Sequence, residues 1–390
     1  MSRATSKPSA PPSIAGAAGE AIGDGFREVG LIDCDVHLTP RSTDELIEYM
    51  SPPWRDRAGD RRRFRLRPAY LTLGSPVRLD SIPDDGSEAG SDPELVHRQL
   101  LVEEGADFGL VTPLGGYGSD PGFNAAVAEG LNAWQAATWL QGGEGRLLGS
   151  ICVSIDDARR AALEVERWAG NPGFRQILIA HDADRPLGHP QYDPLWEAAD
   201  RHGLPVAMHF NDSGRLSLGA TPVGHFRHHV EYHSLSHPME YAAHLVSWIC
   251  SGTFARYPRL RVVFLEGGFL WHRPVIARLS HRWEAKSGYL PDASKDPINC
   301  LREHVRFATQ PMEMSEDRDD LADALALAEA DRLLMFSSDY PHFDYDHPGR
   351  IFPPKFGKDV RRRILSENAR EFYGLPSHRP VGPAEMEPAR

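Results

Sequence analysis

Four polar residues of this chain each stand just behind a short apolar run, and their types suit metal chemistry. Asp35 and His37 close the string LIDCDVH, His209 ends LPVAMH, and Asp339 follows LLMFSS. In an extended strand, residues i and i+2 project to the same side, so the D-x-H step turns a carboxylate and an imidazole toward one point. His209 is followed by the turn signal Phe210-Asn211-Asp212-Ser213-Gly214. Asp339 lies in FSSDYPHFDYD, where Ser337, Ser338, Pro341 and His342 surround it. Two imidazoles and two carboxylates form a nitrogen–oxygen donor set for a divalent transition metal. An aspartate there can also take a proton from a metal-activated water.

Other histidines extend the candidate set. Residues 225–244 hold His225, His228, His229, His233, His237 and His244, six of the 18 histidines in the chain. His233 and His237 are four apart and would share a helix face, although Pro238 makes one continuous helix across both doubtful. His181 directly follows an expected strand.

The elements that must position these groups alternate along the chain. Short apolar runs at roughly 30–36, 108–112, 147–153, 174–180, 204–209, 260–266, 304–308 and 333–338 read as strands buried on both faces. Helical stretches are expected near 156–168, 192–202, 236–251 and 315–330. Such alternation predicts an α/β fold, a single (β/α)8 TIM-type barrel whose strand ends converge on one face. Three long connections, 51–92, 210–235 and 284–303, would wall a substrate pocket there. The Ala-, Gly-, Ser- and Pro-rich residues 1–28 read as a disordered arm, 29–376 as the barrel and 377–390 as a tail.

Bulk properties exclude several classes. A net charge of −12 argues against a nucleic-acid surface. No apolar run reaches the roughly 18 residues needed to span a membrane, and residues 1–28 lack the continuous apolar stretch of a secretory signal. The four cysteines form no CxxC pair, which fits a reducing cytoplasm. A homodimer acting on a small-molecule substrate is expected.

LIDCDVH, LPVAMHF, RVVFLEGGFLW, FSSDYPHFD and ILSENAREFYGL together resemble the aminocarboxymuconate-semialdehyde decarboxylase-like branch of the amidohydrolase superfamily. The resemblance covers roughly residues 30–375. It implies one bound divalent ion, commonly zinc, held by Asp35, His37, His209 and Asp339. Two departures stand out. The decarboxylases usually open with H-x-H, and Asp35 in the first position adds charge that favours a harder ion such as iron or manganese. They also carry a catalytic histidine after the sixth strand, where this chain has Glu266. A glutamate is not the same proton donor, but it can bind metal.

Metal-dependent hydrolysis of an acyl bond is therefore the leading expectation, with an acyl-CoA thioester favoured. That preference follows similarity to iron-dependent thioesterases of actinobacterial natural-product pathways. Asp339, Glu266 and His233 are its catalytic candidates, and Arg61, Arg62, Arg63, Arg65 and Arg67 could hold CoA phosphates. A dinuclear centre is also expected, with Glu266 and one of His181, His233 and His237 holding the second ion. Non-oxidative decarboxylation of an aromatic or unsaturated acid is the alternative.

Overall fold

A computed structural model of the chain describes residues 29–58, 77–118, 120–140, 145–180, 183–209, 229–286, 295–313, 318–352 and 356–377. The expected arm at 1–28, nearly all of the tail, His181 and the arginine run at 61–67 lie outside them. Eight parallel strands follow one another in chain order: β1 (Leu31–Val36), β2 (Ala106–Val111), β3 (Leu147–Cys152), β4 (Phe174–Ile179), β5 (Val206–Met208), β6 (Val262–Phe264), β7 (Val305–Ala308) and β8 (Leu334–Met335). The ends of this sheet meet. Cys34 N–H donates to Phe336 O at 2.9 Å and His37 N–H to Tyr340 O at 2.7 Å, so β8 and its extension pair with β1. The result is a (β/α)8 barrel.

All six residues of β1, and every residue of β5, β6 and β8, are buried. That is why these strands read as continuous apolar runs: the barrel interior covers one face and helices the other. Helices Ala158–Trp168 and Asp193–His202 lie where expected. The first is capped by Asp157, whose side chain accepts from the N–H groups of Arg159 and Arg160.

Three expectations change. The helix expected from 236 starts at His229 and runs through Pro238 to Cys250. The connection 284–303 is partly helical, since helix His272–Lys286 enters it and helix Pro297–His304 leaves it. The connection 51–92 contains helix Trp54–Ala58 and a 3-10 turn at Leu79–Ser81. Helix Pro121–Thr138 was not expected at all. Its Asn132 and Gln135 hydrogen-bond the backbone of Cys152 and Ser150, clipping it to β3. At the other end of the chain, helix Asn368–Tyr373 brings the Tyr373 hydroxyl to Gln176 Oε1 on β4, at 2.8 Å.

Candidate metal centre

The last residues of β1 aim the first two donors. His37 Nδ1 lies 2.7 Å from Thr112 O, just past β2. A carbonyl oxygen only accepts, so Nδ1 carries a proton and Nε2 is the ring nitrogen left to face the centre. That Nε2 is 3.4 Å from Asp35 Oδ1 and 2.8 Å from Asp339 Oδ1. His209, one residue beyond β5, puts Nε2 3.7 Å from Asp35 Oδ2, and its ring meets that of His37 edge-on at 4.9 Å. All four residues are at most 2 % exposed. The four strand-tip residues thus converge as the sequence suggests, from strands first, fifth and last in the chain.

Asp339 sits at φ 63°, in the left-handed region that an aspartate tolerates at a cost of about 1 kcal/mol. The conformation turns its carboxylate back toward β1. His342, three residues on, approaches Asp339 Oδ1 with Nδ1 at 2.8 Å and stacks on His37 with ring centroids 4.5 Å apart. Burial alone would raise the Asp339 carboxyl, but His342 and His37 hold it well below the usual carboxylate range. Asp35 moves the other way: burial raises it, and the charges of Asp339 and Glu266 add to the rise. Asp33 supports the tip of β8 by accepting from Ser338 N–H at 2.9 Å and from the Ser338 hydroxyl. His342, Asp33 and Thr112 are missing from the sequence-based set. Only His342 had a local signal, its three-residue spacing from Asp339.

Glu266 follows β6 and also adopts a left-handed backbone, at φ 50°. Its Oε2 reaches to 3.1 Å from His209 Nε2, so the carboxylate faces the centre and is not a buried salt bridge behind the strand. His237 donates from Nδ1 to Glu266 O at 2.8 Å. Gly267 is packed so tightly that a Cβ there would lie 2.3 Å from Tyr241 Cε2. The close approach that glycine permits here is therefore to the helix. Tyr241 in turn donates its hydroxyl to Met208 O and Leu265 O, joining the ends of β5 and β6. His237 thus braces the backbone that carries Glu266. The side chain of His233 and all of His181 fall outside the described residues.

Do these donors fit a cation? His37 Nε2 and the Asp339 carboxylate lie 2.8 Å apart, an arrangement that attracts only through a positive centre, either a second proton on His37 or a bound cation. Asp35, His37 and His209 form one group of close ligand atoms, and His37, Asp339 and His342 form a second that shares His37. Asp35, His37, His209 and Asp339 would hold a divalent ion, with the Glu266 carboxylate beside His209. The close groups found among the described residues include neither Glu266 nor His237.

A barrel with histidines and carboxylates at its strand tips defines a metal-dependent enzyme. The chain matches the family described as Amidohydrolase over residues 32–375 and belongs to it. It is 24% identical over 255 residues to gamma-resorcylate decarboxylase of Polaromonas sp. strain JS666, covering 59% of this chain and 71% of that protein. Among solved structures, it resembles an amidohydrolase of Mycobacterium avium subsp. paratuberculosis (TM-score 0.66, 22% identity, 89% and 98% coverage). It also resembles 5-carboxyvanillate decarboxylase of Sphingomonas paucimobilis (0.62, 18%, 89% and 100%). A third is the manganese-bound dihydroxybenzoic acid decarboxylase of Polaromonas sp. JS666 (0.58, 18%, 89% and 97%). These relatives overturn the acyl-bond hydrolase expectation, the thioesterase form included. The replacement at Glu266 does not move the chain out of the company of decarboxylases.

Proposed function

We propose that this protein is a metal-dependent non-oxidative decarboxylase of an aromatic or unsaturated carboxylic acid. The observation that carries the reading is its curated relative, gamma-resorcylate decarboxylase, which aligns over 255 residues. The geometry agrees with it. The reaction takes R–COO⁻ and a proton to R–H and CO2. It needs a cationic anchor for a carboxylate and a proton held beside the carbon that loses it.

Asp35, His37, His209 and Asp339 would hold one divalent ion, which would supply Lewis-acid charge for that anchor. We favour a manganese-like ion over iron or zinc, because the carboxylates of Asp35, Asp339 and Glu266 make the donor set rich in oxygen. Thr112 O fixes the tautomer of His37, as outer hydrogen bonds commonly do for ligating imidazoles. A cavity of about 260 Å³ lies against the centre, lined by His37 and His342, and the contact between His342 Nδ1 and Asp339 Oδ1 holds a proton at its border, where the reacting carbon must receive one.

Manganese-loaded protein given hydroxylated benzoates should release CO2 and the corresponding phenol in equal amounts. His209→Ala should lose metal and CO2 release together. Protein with full metal occupancy that releases no CO2 from such acids between pH 6 and 9 would refute the reading.

A further inference from the structure

One buried carboxylate ties together the two strands that deliver the carboxylate donors of the centre. Asp33 lies in the middle of β1 and is 1 % exposed. Its Oδ1 accepts from Ser338 N–H at 2.9 Å and from Asp35 N–H at 3.2 Å, and its Oδ2 accepts from the Ser338 hydroxyl. Ser338 Oγ in turn accepts from Tyr340 N–H at 3.0 Å. The N–H groups on either side of Asp339 are thus both held, one by Asp33 and the other through the Ser338 hydroxyl. The oxygen that takes the first of them also holds the N–H of Asp35.

Closure of the barrel does not depend on these side chains. The backbone bonds from Cys34 N–H to Phe336 O and from His37 N–H to Tyr340 O already pair β1 with the end of β8. What the side chains add is control over Asp35 and Asp339. Those two buried carboxylates repel each other, and the backbone of Asp339 is held at φ 63°. Repulsion and strain both favour spreading the two donors apart. Hydrogen bonds of fixed length between their backbones oppose that spreading, so the donors stand in place before an ion arrives.

We propose that Asp33 and Ser338 are positioning residues of the metal centre, and that their shared hydrogen bonds set the spacing of Asp35 and Asp339. Neither residue binds the ion; each acts through the backbone of a donor. The proposal rests on the donor set assigned to the ion, whichever reaction the centre performs.

The test is titration of the full-length protein with Mn2+, together with electron paramagnetic resonance of the bound ion. Ser338→Ala and Asp33→Asn are compared with the parent. Thr253→Val is the control, because it removes another buried hydroxyl, one that meets the Ser251 hydroxyl at 2.8 Å ahead of β6. Ser338→Ala should bind Mn2+ about 10–100-fold more weakly, as expected when a metal ligand loses an outer partner. Asp33→Asn keeps an oxygen for the two N–H groups and should lose affinity by a smaller factor. The resonance should change shape in both variants and match the parent in Thr253→Val. Parental affinity and resonance in either variant, or an equal loss in Thr253→Val, would overturn the proposal. A parent that binds no Mn2+ overturns it together with the metal centre. Affinity losses as expected, with no CO2 released from hydroxylated benzoates by the loaded parent, uphold the positioning role and sink the decarboxylase reading alone.

Discussion

At the scale of single residues, the centre depends on how Asp339 is held. Its backbone is left-handed, its carboxylate is buried, and His342 Nδ1 sits 2.8 Å from Oδ1. His342→Phe would keep an aromatic ring against His37 but remove the donor that orients Asp339. Loss of such an outer partner commonly lowers metal affinity about 10–100-fold, and that loss is expected here in a chelator competition assay. Unchanged affinity would mean that the strained backbone alone orients the carboxylate. The donors themselves were legible because each follows an apolar run at a strand end. His342 was less so, since its part is defined by a stack on His37, a residue 305 positions away in the chain.

At the scale of elements, the loop after β6 is the most tightly specified part of the site. Glu266 is left-handed, Gly267 lies against the Tyr241 ring, and Glu313 Oε1 accepts from the N–H groups of Phe269 and Leu270. Gly267→Ala would force a methyl to within 2.3 Å of that ring. The helix or the loop must then shift, at a cost of about 1–3 kcal/mol. We expect a lower Tm and weaker metal binding together, read by calorimetry and metal titration. A stability loss with unaltered metal binding would separate the loop from the centre. Helix Pro121–Thr138 shows why some elements escaped notice. It is buried on most of its sides and spends Asn132 and Gln135 on the backbone of β3, so it lacks the polar stripe that marks a surface helix.

At the scale of the whole molecule, buried acids make stability depend on pH. Burial pushes the Glu104 carboxyl from 4.5 up to about 7; Asp33 adds to the rise, while Tyr345 and Arg78 oppose it. An acid whose folded value is raised binds more protons in the folded state than in the unfolded chain. Stability therefore falls as pH climbs from about 4.5 to about 7 and then levels off. Glu104→Gln lacks this loss and should be more stable than the parent at pH 8, by roughly 3 kcal/mol. Urea unfolding at pH 5 and pH 8 checks it. A difference that stays the same at both values would assign the effect to packing. Among the described residues, no helix is long and apolar enough to cross a membrane.

The barrel and the place of the four polar residues at its strand tips were determined by the sequence itself, because strands buried on both faces must be apolar throughout and a polar residue ending one is conspicuous. The D-x-H step even set the shared direction of Asp35 and His37, since strand geometry is local. Closure of β8 onto β1 joins the two ends of the barrel, and only it makes Asp339 a neighbour of His37. The tertiary structure likewise decided the fate of the histidine cluster. His237 is spent on Glu266 O, a contact that depends on how helix His229–Cys250 packs against the end of β6. The mount of Glu266 follows the same rule: its φ of 50° is sustained by Tyr241 and Glu313, partners that arrive through packing and leave no trace in the FLEGG motif.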